Sequence, residues 1–531
     1  MSEYPKTTIN ILSANTFASL DQRSILIVGQ KTSGTAISGE LKEIITEADL
    51  NNYFGRNSHI AIAGRSLLKT LAISSTHPKI SAIALEDNAG GTVATGSFAI
   101  TGTATASGSL SFYVDSIKNG EYEIDINIGD TSISIASKLK ALIDANLNSP
   151  VSAGISTSLN SPVSAGISTS TITLTSVNKG LVANSIGLKL KSSVAGITVV
   201  ITAMSGGATN PVLTGLFDNI VNSKIRFTSI AYPSEYTLST LTALTEARIN
   251  VDNEVLDGLG IIAKTDTYVN NNSFLDALNL KTLDVICNNK INTATHKGGA
   301  IFENNLTIAS VIAGIRELRL TVGANISRIM SNGESLGGSY NGAIPYFNTI
   351  AYELPIIDAG NNYLEAERNE LKNSGGSCPQ NNSANSYIDI NKQFTTYKLD
   401  NAGNVDKTYQ SVNTLDTMSI VREYFFRNIK KDFAQHALTS GQVVANRKMV
   451  NKDSFIATLC EYYRELSGLA NLNTDYALLV ASNEALAYFK DFVSKTIVIN
   501  LQEGSIVADS SAKIVSQLET IIINLIPNFE A

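Results

Sequence analysis

The feature that most constrains this chain is a long, charge-poor stretch set between two stretches of different periodicity. No arginine occurs between Arg65 and Arg226, and residues 91–215 hold six acidic residues and six lysines. Within that stretch apolar side chains recur at every second position. Tyr122, Ile124, Ile126 and Ile128 alternate with Glu121, Glu123, Asp125 and Asn127. Period two puts alternate side chains on opposite faces of a strand, so one face is buried and the other solvated. Ile172 and Leu174 repeat the pattern, as do Ile186, Leu188 and Leu190, and then Ile197, Val199 and Ile201. One helical stripe interrupts it, Ile135, Ala136, Leu139, Leu142 and Ile143 within residues 131–145,. Residues 91–215 therefore read as a mostly β unit.

The flanks read differently. Residues 24–29 (SILIVG) are a continuous apolar run closed by glycine, as in a strand buried on both faces,. Helical spacing follows over 61–71, and a second buried strand over 80–85. After Leu216 the alternation returns: strands over 225–231, 260–263 and 283–287, helices over 238–250 and 306–318, a loop at 373–386 and a strand over 387–399. Strand, helix, strand argues for an α/β layer into which the β unit is inserted. The last region carries helical periodicity over 417–433, 454–466 and 477–494, then a β-prone piece at 495–501, a helix around 510–519 and a second β-prone piece at 520–526. The expected organisation is an N-terminal arm (1–20), an α/β core in two parts (21–90 and 216–394), the inserted β-rich unit (91–215) and an α+β C-terminal domain with its own arm (395–531).

Inside the β unit lies a tandem repeat. Residues 147–158 read LNSPVSAGISTS, and residues 159–170 repeat them letter for letter. Two copies of twelve are too few for a solenoid, so the repeat reads as a duplication within a tolerant hairpin or loop.

Several function classes are disfavoured. The net charge is −7 and no Lys/Arg-rich run appears, so no nucleic-acid footprint is visible,. No apolar run approaches the roughly 18–20 residues that span a bilayer, and the first residues lack the pattern of a secretory signal. Cys287, Cys378 and Cys460 are far apart and form no CxxC, so neither a disulfide framework nor a zinc site is expected,. The four histidines, His59, His77, His296 and His436, stand at no metal-ligand spacing,. No cofactor or metal is expected. Gly29-Gln30-Lys31-Thr32 follows a strand but lacks the glycines of a phosphate loop,. Gly333-Glu334-Ser335-Leu336-Gly337 has the letters of a hydrolase elbow. That elbow needs a helix directly after it, and Gly338–Gly342 reads as loop. An esterase using Ser335 is kept as a distant alternative, and a surface adhesin of β domains is disfavoured by the missing signal.

The order of segments resembles the tail sheath proteins of Mu-like contractile phages. Residues 24–31 (SILIVGQK) with Gly34-Thr35-Ala36 resemble that family's first core strand and its exit. Phe54-Gly55 and Gly64-Arg65-Ser66 sit where the family has a Phe-Gly pair and a small-residue helix start. Residues 102–110 (TGTATASGSL without its first letter), residues 171–175, Asn178-Lys179-Gly180 and Asn184 are similar to its inserted strands and turn. Further on, Phe394-Thr395-Thr396-Tyr397, Tyr409, Thr414-Leu415 and Arg427-Asn428 keep the family's order. The duplicated dodecamer and the absence of tryptophan depart from the pattern.

The resemblance implies an α/β core of subtilisin-like layout with no protease site, the inserted mostly-β unit as an outer protrusion, and an α+β C-terminal domain. It implies a structural subunit rather than an enzyme. Its partners would be itself, in sixfold rings or helical strands, together with the tail tube protein and the baseplate and tail terminator proteins, with no nucleic acid and no membrane insertion. The expected location is the host cytoplasm during assembly and then the virion tail. The sheath of a contractile bacteriocin or secretion-type device is the alternative. The candidate interface arms are Thr8, Ile9, Asn10, Ile11 and Leu12 at the start, and Ile497, Val498, Ile499, Ile521, Ile522 and Ile523 at the end.

Overall fold

A computed structural model describes residues 23–73, 78–157, 170–221, 225–249, 255–290, 301–320, 349–356, 363–382, 387–390, 392–444, 447–469, 478–501 and 505–513. β1 (Ser24–Gln30) is buried along its whole length. Its pleat divides the apolar run between two cores, Ile25 and Ile27 facing one, Leu26 and Val28 the other. Such a strand belongs in a parallel sheet covered by helices on both sides. The chain continues through β2 (Leu41–Ile44), α1 (Glu47–Phe54) and α2 (His59–Leu71) to β3 (Lys79–Leu85). β3 is parallel to β1, in register from Ser24↔Lys79 to Gln30↔Leu85. β2 was not legible in the sequence; it pairs antiparallel on the outer edge of β3. Thr46 and Asp49 close a capping box at the start of α1, and Ser58 caps α2,.

The inserted strands follow: β4 (Val93–Gly102), β5 (Gly108–Val114), β6 (Ser116–Ile126), α3 (Ser132–Ala145), β7 (Val151–Thr157), β8 (Ser170–Lys179), β9 (Leu188–Leu190) and β10 (Ile197–Ser205). They form a four-stranded sheet, β10-β4-β8-β7, and a three-stranded sheet, β6-β5-β9. Both contribute to one core with α3, in which Phe98 meets Phe112 edge-on with ring centroids 5.0 Å apart. Burial alternates strictly along β8, as period two requires,. Three expectations fail in detail. Ile128 is exposed, because β6 ends at Ile126. Leu142 is exposed, because it falls at the margin of the α3 stripe. Ile201 is exposed as well, because β10 is an outer strand of its sheet.

The repeat is settled by register. β7 is the first copy, and it pairs with β8 from Val151↔Ser176 to Thr157↔Ser170. The second copy cannot replace it in that register, because Thr169 directly adjoins Ser170. Deleting residues 159–170 would join Ser158 to Thr171 and close the pair Ser156↔Thr171 with two residues, Thr157 and Ser158,. A shorter link favours closure, whereas Thr-Ser lacks the residues that two-residue turns prefer. The deletion is therefore expected to change unfolding free energy by about 1 kcal/mol or less. Urea unfolding checks it, and loss of the insert's fold would overturn the register.

The core resumes with α4 (Asp218–Val221), β11 (Ser229–Ala231), α5 (Leu238–Ile249), β12 (Leu259–Asp266), α6 (Tyr268–Asp276), β13 (Leu283–Asn289), α7 (Asn305–Leu320), β14 (Thr349–Pro355), α8 (Glu365–Asn373), β15 (Gly376–Ser377), β16 (Gln380–Asn382) and β17 (Tyr387–Ile390). The main sheet has seven strands in the order β15-β13-β12-β11-β1-β3-β2, all parallel except the edge strand β2. Side chains of α1, α2 and α7 build the core on one face; those of α5, α6 and α8 build the other. α7 is buried on every side. It lies so close to α2 that a Cβ at Gly314 would stand 2.7 Å from a Leu67 methyl. The strand expected over 225–231 shortens to β11, and the loop expected at 373–386 contains β15 and β16.

The last region holds α9 (Val412–Asp432), β18 (Ala437–Leu438), β19 (Met449–Val450), α10 (Lys452–Ser467), α11 (Asn483–Thr496), β20 (Val498–Asn500) and β21 (Ser505–Val507). Tyr463, Leu466, Phe489 and Val493 centre a separate core there. α11 starts at its cap Ser482 rather than at residue 477. Residues 510–513 are not helical, and the remainder of the helix expected at 510–519 lies outside the described residues. The whole is a mixed α/β structure with several sheets.

Candidate functional site

In open parallel sheets a ligand crevice forms outside the carboxyl ends of the strands, where the strand order reverses. Here that point lies between β1 and β11: β3 follows on one side, β12 and β13 on the other. The crevice is filled by the chain itself. Gln30 Nε2, at the end of β1, donates to Asp87 Oδ1 at 2.6 Å and to the Lys179 carbonyl at 2.7 Å. Tyr236 Oη donates to Gln30 Oε1 at 3.2 Å. Asn178 Nδ2 donates to the Lys31 carbonyl and to Asp87 Oδ1, and the Lys179 amide donates to Asp87 Oδ2. Asn184 and Gly207 exchange two hydrogen bonds of 2.9 Å. The root of the insert thus occupies the place where a cofactor would sit. Asn178, Lys179 and Asn184, singled out in the sequence, are the residues that seat it.

The Gly29–Thr32 segment is likewise structural. A Cβ on Gly29 would lie 2.9 Å from Leu306 Cδ2. Lys31 pairs with Glu86 at 2.6 Å, and the Thr32 amide donates to the Phe54 carbonyl. Gly55 has φ +84°, and a Cβ there would meet Thr32 Oγ1 and the Ser33 backbone. The Phe-Gly pair is therefore a close backbone crossing that requires glycine.

A second anchor joins the insert to α7. Asp115 sits at φ 64° between β5 and β6. Asn304 Nδ2 donates to its Oδ2 at 2.9 Å, and Asn304 Oδ1 accepts from the Thr307 amide at the start of α7. Burial pushes the Asp115 carboxyl up to about 6.

His59 opens α2, fully buried, with neither ring nitrogen hydrogen-bonded. Burial lowers its pKa to about 4. An imidazole held neutral, with no carboxylate to orient it, is not a triad base. It does make stability depend on pH. The unfolded chain takes up a proton below its ordinary pKa near 6.5, and the folded chain resists until about 4. Stability is therefore lost as pH falls through that window, by about 3 kcal/mol. Asp115, with its raised pKa, acts in the opposite sense, so the wild-type curve is a sum. The difference between wild type and His59→Leu isolates the histidine: chemical denaturation from pH 7 to pH 4 should show the variant losing less stability on acidification. His436 follows α9; His77, His296 and the segment around Ser335 lie outside the described residues. No cluster of three or more potential metal ligands occurs among the described residues, and none of the described helices is long and apolar enough to cross a membrane.

At the amino ends of the strands the chain buries a charge network that binds α9 to the core. Arg226 Nη1 donates to Glu423 Oε2 at 2.7 Å, and its Nη2 to Asp257 Oδ1 at 3.1 Å and Ser419 Oγ at 2.7 Å. Arg316, on α7, pairs with Asp416 at 2.5 Å and donates to the Thr228 carbonyl and Ser229 Oγ. Ser229 Oγ donates to Glu317 Oε1 at 2.5 Å. Burial is the largest influence on Asp416, and its pKa is raised despite the neighbouring guanidinium. None of these residues was selected from the sequence. The available signal was the charged pair Arg316-Glu317 in a mostly apolar helical stretch, since charges within a buried stripe imply partners elsewhere,.

Of the expected arm residues, Ile497 caps α11 and is buried. Val498 and Ile499 lie in β20, which pairs antiparallel with β21, Val498 opposite Val507. This ribbon has two strands among the described residues, and Val498 and Val507 are both exposed. Thr8, Ile9, Asn10, Ile11, Leu12, Ile521, Ile522 and Ile523 lie outside the described residues.

No protein-family model matches the chain. The tail sheath protein of the Mu-like prophage FluMu of Haemophilus influenzae is 24% identical over 442 residues, covering 81% of this chain and 80% of that protein. Among solved structures, the sheath tail protein of Listeria innocua overlaps 94% of each chain at 12% identity and a TM-score of 0.41. The sheath tail protein of Desulfitobacterium hafniense overlaps 87% of this chain and 89% of its own at 10% identity and a TM-score of 0.40.

Proposed function

We propose that this chain, a homologue of the tail sheath protein of a Mu-like prophage, is the structural subunit of a contractile tail sheath. It polymerises around a tail tube and contracts to drive that tube through a host envelope. The observation that carries the reading is the near end-to-end relationship in sequence, 81% of one chain against 80% of the other. A core of subtilisin-like layout without a protease site and a crevice plugged by the insert's root suit a subunit that does no covalent chemistry. The charge-poor insert suits an outer surface. Assembly takes place in the host cytoplasm, and the finished sheath belongs to the virion tail. Its partners are further copies of itself in sixfold rings or helical strands, the tube, the baseplate and the tail terminator.

Such a device needs contacts that persist through contraction and contacts that exchange. A strand added to a neighbour's sheet bonds through backbone groups and tolerates rotation of the bodies it joins. The β20–β21 ribbon supports that reading, because two strands alone are marginal and their outer edges can accept another. Thr8–Leu12 and Ile521–Ile523 are the segments proposed to supply it. Exchanged contacts lie between core units, and contraction releases free energy held in a kinetically trapped extended state. Negative-stain electron microscopy of the protein expressed alone tests the reading. Hollow striated tubes or stacked rings are expected. Monomers at every concentration and salt, with and without the tube protein, would count against it.

A further inference from the structure

The buried charge network borders a partly open cavity of about 260 Å³ whose walls are unevenly charged. Arg23, Arg226, Lys281, Arg316 and Arg422 line it, against the carboxylates Asp257 and Asp416. Glu317 and Glu423 pair with Arg316 and Arg226 from outside the lining, and one positive charge is still left over. Arg226 and Arg316 spend their donors on the partners already named. Arg422 donates to the Ile249 carbonyl, and Lys281 lies over the Tyr409 ring at 5.5 Å. Arg23 differs from all of these. Only 8% of its surface is exposed, and its Nε is buried with no hydrogen-bond partner. Arg226 and Arg316 repel it, and Glu423 and Glu317 attract it without touching it. A guanidinium presents five donors in a fixed fork that matches a planar or tetrahedral oxoanion. A buried Nε–H without an acceptor is an unsatisfied donor, and here it lines an open cavity from which an acceptor could reach it,.

We propose that this cavity binds an oxoanion, a carboxylate or phosphate group, held by the fork of Arg23 with Arg422 and Lys281 beside it. The group completes the hydrogen bonding of Arg23 and neutralises the excess charge. It comes either from solution or from an acidic side chain of a second copy of this chain. The chemistry of the site is the same in both cases and does not depend on the sheath reading.

The test uses the full chain and inorganic phosphate. Thermal unfolding in sodium phosphate is compared with sodium chloride at matched ionic strength, for wild type, Arg23→Gln and Arg23→Lys. Phosphate should raise the wild-type midpoint in a saturable way. Losing the fork should weaken apparent phosphate binding roughly tenfold or more, with Arg23→Lys intermediate. An equal midpoint in both salts for wild type would overturn the proposal, as would an undiminished phosphate response in Arg23→Gln. Should Arg23→Gln fail to fold, line broadening of the phosphorus resonance on adding wild-type protein decides instead; no broadening overturns the site. With binding established, phosphate added during polymerisation distinguishes the sources. Slower assembly identifies a neighbouring copy's carboxylate, and unchanged assembly identifies a free anion.

Discussion

A chain lacking residues 1–20 is expected to fold, to remain monomeric and to form no tubes. The four hydrophobic cores draw on residues from Ile25 onward, so the deletion removes none of their described members. β1 keeps both parallel neighbours, β3 and β11. The thermal midpoint should therefore stay close to that of the full chain. Assembly is another matter. A docked strand spanning Thr8–Leu12 would bury Ile9 and Ile11 on one face, each contributing about 1.5–3 kcal/mol, and would add backbone hydrogen bonds of about 1 kcal/mol each. Ordering the segment offsets much of this, roughly 1–2 kcal/mol per residue. A net of a few kcal/mol per contact is enough to move the concentration needed for polymerisation by roughly a hundredfold or more. Sedimentation and light scattering against concentration measure that threshold. Tubes forming at the wild-type threshold would refute the arm assignment, whereas a lowered melting point would mean that the segment belongs to the monomer's own fold.

What was legible in the sequence follows from which forces act locally. β1 and β3 were read correctly because a strand buried on both faces must be continuously apolar,. β8 was read correctly because one buried face imposes alternation,. β2 was invisible: four residues, LKEI, on an edge need little apolar content, and only pairing with β3 makes them a strand. β15 and β16 escaped for the same reason, since backbone pairing to β13 and β17 decides them rather than side-chain pattern. The failed position in α3, Leu142, shows the limit of a stripe: periodicity gives a face but not its width,. Asn178 and Asn184 were noticed through resemblance alone. Their role is tertiary, bonding across the insert's root, and nothing in a local window reports it. The charge network was missed because its members are scattered from Arg226 to Glu423, and the one local signal, the charged pair Arg316-Glu317 in a buried helix, does not say which distant residues it meets.

Replacing Asp416 by alanine is expected to lower unfolding free energy by about 3–5 kcal/mol. Asp416 and Arg316 are both buried, and their contact joins α9 to α7. Removing the carboxylate leaves a guanidinium in a place from which water is largely excluded, stripped of its close Asp416 partner, with Glu317 at 3.3 Å beside it. The loss measures that stranded charge more than the worth of the pair itself. The distinction is testable. Arg316→Met alone should also be costly, since it strands Asp416 and takes a donor from the Thr228 carbonyl. Combined with Asp416→Leu it should cost less than the sum of the two single changes, because two well-packed apolar side chains replace a buried ion pair at little net expense. Urea unfolding of the four proteins in this cycle gives the coupling. A coupling near zero would mean that water reaches the pair in solution. A large one would establish that α9 is fixed to the core through charge at this site. Any large rearrangement of the subunit, such as the proposed contraction would require, would then have to carry α9 and the seven-stranded sheet together.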